Sequence, residues 1–161
     1  MRRLEPKTVT IGEATYYIFP FSAFYAANLS GEILGLVSPI IASLLPLVST
    51  DENQGEDILD QKLEDVLPMI TQAFNSLSGD KVENLMKKLL INQKNVSVEY
   101  EQDGETQKER LTADLADELF CMDIGGMYRL AWEVIQLNYG SFFAKAPNQF
   151  GNVVGRLKIT K

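Results

Sequence analysis

The sequence predicts an α+β fold, a mostly helical single domain carrying two β-hairpins, one N-terminal and one central. Three observations predict it. Two pairs of short β-rich runs flank turn signals at residues 12–14 and 103–104. Elsewhere, apolar residues recur every three or four positions over long stretches. The length of 161 residues, with 45% hydrophobic and 23% charged residues, suits one globular domain with a buried core. Residues 1–145 are assigned to that domain and 146–161 to a C-terminal tail.

Thr8-Val-Thr-Ile11 and Thr15-Tyr-Tyr-Ile-Phe19 read as a hairpin with a short loop over Gly12-Glu13-Ala14. Pro20 stops the second strand. Ser22 is expected to cap a helix with apolar positions at Phe24, Ala27, Ile33, Leu34 and Val37. Pro39 disfavours helical backbone at Ser38, so a break or kink is expected there, followed by a short helix over 40–45. Residues 49–56 are polar and aperiodic, as in a loop. Ile58, Leu59, Leu63, Val66, Leu67, Ile70, Phe74 and Leu77 then mark a helix, kinked or restarted at Pro68 and ended by Ser78-Gly79.

Asp80 and Glu83 resemble a capping box. They open a helix with Val82, Leu85, Met86, Leu89 and Leu90 at a clear helical period. Val96-Ser-Val-Glu-Tyr100 alternates like a half-buried strand, Asp103-Gly104 turns the chain, and residues 106–111 return. Glu99 and Glu101 against Lys108 and Arg110 permit cross-strand pairs, each worth a fraction of about 1 kcal/mol. Thr112 is placed to cap a helix over 113–120. A turn over 123–126 leads into the last helix, 128–143, with Gly140 near its end.

The net charge of −7 disfavours phosphate backbones, so no nucleic-acid partner is expected. Charge is also uneven. Asp51, Glu52, Glu56, Asp57, Asp60, Glu64 and Asp65 form an acidic block, whereas no acid follows Glu133 and the end of the chain carries Lys145, Arg156, Lys158 and Lys161. The acidic block does not match an EF-hand loop and reads as a solvated loop and helix N-terminus, so no metal is expected. Gly125-Gly126 lacks the surroundings of a phosphate loop and reads as a helix junction.

With no histidine, the commonest general base and zinc ligand is missing. The single cysteine, Cys121, sits between Phe120 and Met122 and is expected to be a buried, inert thiol in a reducing compartment. Residues 33–50 are uncharged and apolar but contain Gly35, Pro39 and Pro46; a buried helical hairpin is expected in preference to a membrane span. No catalytic set and no cofactor site emerges. The chain reads as a binding module, not an enzyme.

Aromatic residues supply the candidate adhesive. Trp132 is expected in the core. Phe142 and Phe143 are adjacent, so one helix face cannot bury both. Trp132, Tyr139, Phe142, Phe143 and, in the tail, Phe150 are the candidate partner-binding residues. The tail also offers Val153, Val154, Leu157 and Ile159, in the composition of a mobile arm.

The order of hairpin, helix, acidic loop, helices, second hairpin and final helix, closing on Asn138-Tyr-Gly-Ser-Phe-Phe143, resembles the tail assembly chaperones of long-tailed bacteriophages and prophages. Those proteins often end with an Asn, aromatic, Gly, polar, Phe-Phe motif; here Ser141 stands where an acid is commoner. The resemblance spans most of the chain. It implies a non-catalytic helper in the cytoplasm of the bacterial host. Its partners would be the hydrophobic, helical tape-measure protein and the tail-tube protein, with self-association left open. It carries no catalytic residues over. Apolar surface with net charge suits such a role, and acidic charge favours basic clients. The alternative is a structural tail component, a completion or connector protein kept in the virion. A third reading, a metal-dependent enzyme using the acidic block, lacks ligand spacing.

Overall fold

The computed structural model describes residues 5–48 and 63–145. Strands β1 (Lys7–Ile11), β2 (Ala14–Ile18), β3 (Val96–Gln102) and β4 (Glu105–Arg110) form one antiparallel sheet in the order β1-β2-β3-β4. Helices α1 (Ala23–Val48), α2 (Leu63–Asn75) and α3 (Gly79–Leu90) are inserted between β2 and β3; α4 (Ala113–Leu119) and α5 (Ile124–Lys145) follow the sheet. The fold is therefore α+β, as the sequence predicts.

The two hairpins are halves of one sheet. Thr15 faces Glu99 and Ile18 faces Val96, and the Phe19 N–H donates to the Asn95 carbonyl at 2.8 Å. Alternation explains the join. Val9, Ile11, Ala14, Tyr16, Ile18, Val96 and Val98 are all buried on one face. β4 reads Glu-Thr-Gln-Lys-Glu-Arg and has no apolar residue, as suits an exposed edge. Asp103 (φ 54°) and Gly104 (φ 81°) make the two-residue turn between β3 and β4, where both positions need positive φ.

The predicted cross-strand pairing is half realised. Glu99 lies opposite Lys108, 3.8 Å apart, but Glu101 faces Thr106 and Arg110 faces Ser97. Lys108 also sits 3.8 Å above the Tyr17 ring, and the Tyr17 hydroxyl donates to Glu99 at 3.3 Å.

α5 runs beneath the sheet and against β1, α2 and α3. Leu130, Ala131, Trp132, Val134 and Ile135 are buried on all sides of the helix, which marks it as the central element of the core. Glu133 is carried into this interior and pairs with Lys7 of β1 at 2.5 Å. Farther along, Asn138 accepts from the Phe21 N–H at 2.8 Å, and the Tyr139 hydroxyl donates to the Ala26 carbonyl at 2.7 Å. These two bonds tie the start of α1 to α5.

Several local expectations are corrected. α1 is one helix to Val48, not two; it passes through Pro39, and the Ser38 hydroxyl donates to the Leu34 carbonyl at 2.5 Å. Proline removes one backbone donor, and a long helix packed against neighbours absorbs that loss. Pro68 lies inside α2, so of the two expectations there the helix does not restart at it. The cap of α3 is Ser78, with no side-chain bond, so Asp80 falls within the first turn and no capping box forms. Gly79 begins α3 and does not end α2. Gly140 is interior to α5, which continues to Lys145. Cys121 is exposed, in the turn between α4 and α5, because its neighbour Phe120 takes the inward position and stacks on Tyr16 at 5.7 Å. Thr112 does cap α4, accepting from the Leu115 N–H at 3.2 Å.

Candidate functional site

A groove of about 510 Å³ opens where the end of α2, one face of α3, the start of α4 and the first turn of α5 meet. Its base is apolar. Phe74 of α2 and Tyr128 of α5 are both buried. Met86 and Leu90 line it from α3, and Val82 and Met127 stand half-buried on its walls.

The local sequence explains each wall. α3 carries two apolar stripes at four-residue spacing. Leu85 and Leu89 point into the core, whereas Val82, Met86 and Leu90 face the groove. α4 contributes only Ala113 and Ala116 as apolar lining, and small side chains leave the space open. α5 starts sharply because the Asp123 carboxylate accepts the Gly126 N–H at 3.0 Å. A Cβ at position 126 would push that carboxylate aside, so glycine there preserves the capping bond. This sets Met127 and Tyr128 at the groove. One turn earlier, Ile124 is 56% exposed, and Met122 projects fully into solvent.

The rim is charged. Lys87 and Glu83 pair across one turn of α3 at 2.5 Å, and Asp117 of α4 borders the groove from the other side. The hydrogen bond from Lys87 holds the Glu83 carboxyl below its ordinary range. The same bond, with a smaller contribution from Asp117, holds Lys87 above its own. Two thioethers, from Met86 and Met127, make the lining adaptable to irregular apolar shapes.

The aromatic residues singled out in the sequence lie elsewhere. Trp132 is 2% exposed, in the middle of α5. Tyr139 is also buried, and that burial, with Tyr25 nearby, pushes its hydroxyl up to about 12. Phe142, one turn on, is 52% exposed. α5 carries these three along its length, and none of them lines the groove. Met127 and Phe142 are separated by about 22 Å of helix. The Phe143 side chain and Phe150 lie outside the described residues, as does most of the acidic block. Among the described residues, no group of three or more His, Cys, Asp or Glu could hold a metal ion.

Sequence reasoning missed Val82, Met86, Met127 and Tyr128 as site residues. A signal existed. The apolar arc of α3 is wider than one packing partner requires.

The sequence profile described as phage tail assembly chaperone protein, TAC, matches residues 12–151. The chain belongs to the phage tail assembly chaperones. No curated protein and no solved structure matches it. In this chaperone the match begins in the first hairpin loop and runs past the end of α5, so it takes in every element that builds the groove. The resemblance carried by the closing motif of α5 is thus borne out at family level. A family of assembly chaperones works on protein partners in building the tail. Among the described residues, no helix of the chaperone is long and apolar enough to cross a membrane.

Proposed function

We propose that this chaperone binds amphipathic helical segments of the tape-measure protein, keeps that protein soluble, and assists assembly of the tail tube around it, without catalysis, in the cytoplasm of the bacterial host. One observation carries the reading. The groove between α2, α3, α4 and α5 is apolar at its base, charged at its rim and open to solvent. That is the form of surface on which an amphipathic helix lays its apolar face.

Magnitudes suit a helper that must let go. Each apolar side chain buried in such a groove contributes about 1.5–3 kcal/mol. Two or three anchors, less the cost of association, give weak and reversible binding for each segment. A long client with many amphipathic turns would gather several copies of the chaperone and release them as tube subunits close round it. Phe142, Phe143 and Phe150 remain candidates for a second contact, with residues 146–161 as a contributing arm; buried Trp132 and Tyr139 would serve it only by fixing the helix that carries Phe142.

Co-expression with the tape-measure protein of the same phage is the direct test. The expected result is a larger soluble fraction of the client and a complex that survives gel filtration. Unchanged client solubility with no co-eluting complex would overturn the reading. The chaperone is also expected to be absent from purified virions by mass spectrometry; fixed stoichiometry in the particle would establish the structural-component alternative.

A further inference from the structure

Building on the reading of the groove as a helix-binding site, we infer that its occupant is an amphipathic helix carrying basic residues along the edge that lies on α4. The two walls differ in charge. On α3, Lys87 is the one basic residue of the lining, and Glu83 already engages it at 2.5 Å. α4 has no basic residue at all. Its polar side chains are Asp114, Asp117 and Glu118, all exposed, and Asp117 lies on the groove. Asp114 and Asp117, three residues apart, share the edge of α4 beside the groove, whereas Glu118 lies within electrostatic reach of Tyr100 on β3.

The same wall presents only Ala113 and Ala116 to the groove. A client helix can approach closely there, with the methylene stems of Lys or Arg lying across the alanine methyls and their heads reaching the acids. A client edge rich in Asp or Glu would meet Asp117 on the groove and Asp114 one turn away instead, on a chain whose net charge is −7. The acids therefore select orientation and partner, while the apolar base supplies adhesion.

The experiment uses two synthetic helical peptides of about 20 residues with one shared apolar stripe, edged with Lys in one and Glu in the other. Fluorescence anisotropy with the full chain measures both. The Lys-edged peptide is expected to bind about five- to tenfold more tightly at low salt, the advantage shrinking as salt rises. The triple variant Asp114→Asn, Asp117→Asn, Glu118→Gln is expected to abolish the difference with unchanged circular dichroism. Val82→Lys, on the groove wall, is expected to weaken both peptides. Equal affinity for the two peptides, a preference that survives the triple variant, or binding indifferent to Val82→Lys would each overturn the inference. A rise in peptide affinity on neutralising Arg156, Lys158 and Lys161 would do so too, by identifying the chain's own tail as the occupant. The two readings fail separately. A client bound equally by the triple variant removes the charge selection and leaves the chaperone reading. A Lys-edged peptide held in the groove while the tape-measure protein is ignored does the reverse.

Discussion

The rings of Phe74 and Tyr128 lie stacked, with centroids 4.9 Å apart and planes 7° from parallel. They join α2 to α5 at the base of the groove, so stability and binding meet in one contact. Phe74→Ala is expected to cost about 3–5 kcal/mol, since a fully buried ring leaves a cavity. Tyr128→Phe keeps the ring and is expected to change stability by less than about 1 kcal/mol. Urea denaturation of the two variants checks both. Equal losses would mean that the hydroxyl, not the stack, holds the helices together.

Lys7 and Glu133 form an unequal pair. The Glu133 side chain is 12% exposed and that of Lys7 35%. Removing the lysine strands a carboxylate inside the fold. Removing the acid frees an ammonium that can turn to water. Lys7→Met is therefore expected to cost about 1–3 kcal/mol, more than Glu133→Gln. Thermal denaturation of both variants at neutral pH makes the comparison, and a larger loss for Glu133→Gln would contradict it.

Two buried tyrosines set an alkaline limit. Burial, helped by Asp123, pushes Tyr16 up to about 12, and burial with Tyr25 nearby does the same to Tyr139. A raised pKa means that the folded state holds its proton more tightly than the unfolded chain. The resulting stability is complete below about pH 10, where both states are protonated, and is lost as pH rises toward about 12. Within that window each tyrosine should lower stability by up to about 1.4 kcal/mol per pH unit. Tyr139→Phe should flatten the slope without abolishing it, since Tyr16, Tyr25 and Tyr100 are also raised. Denaturation midpoints taken across the window measure it.

The start of α5 separates two adjacent glycines. A Cβ on Gly125 would meet Asp123 at an ordinary 3.9 Å, whereas one on Gly126 would displace the carboxylate from its capping bond. Gly125→Ala is expected to stabilise the chain by about 0.5–1 kcal/mol through higher helix propensity. Gly126→Ala is expected to give no net gain, because the lost cap, about 1 kcal/mol, offsets that benefit. Equal gains from the two substitutions would show that the cap contributes nothing.

What the sequence made legible was local. Asp103-Gly104 named its own turn, Thr112 its own cap, and the Leu85 and Leu89 stripe its own helix. Long-range pairing was not legible. Nothing in residues 14–18 or 96–102 alone says that Ile18 and Val96 are partners, although each strand shows a single apolar face. Pro39 misled because a local rule about backbone was outweighed by the packing of a long helix. Cys121 misled because an apolar neighbourhood in sequence did not fix which neighbour turned inward; Phe120 took that place. The groove escaped notice because its lining comes from four separate helices, each contributing two to six residues whose apolar members read individually as core.

The helical insertion leaves the sheet at Ile18 and re-enters it at Val96, directly alongside. Everything from residue 19 to residue 95 is thus a loop whose two ends must find each other before the central strand pair can zip. Closing a loop of that size carries an entropic cost that no nearby contact repays early. A newly made chain therefore completes its four-stranded sheet only after all of that intervening length has been closed into place.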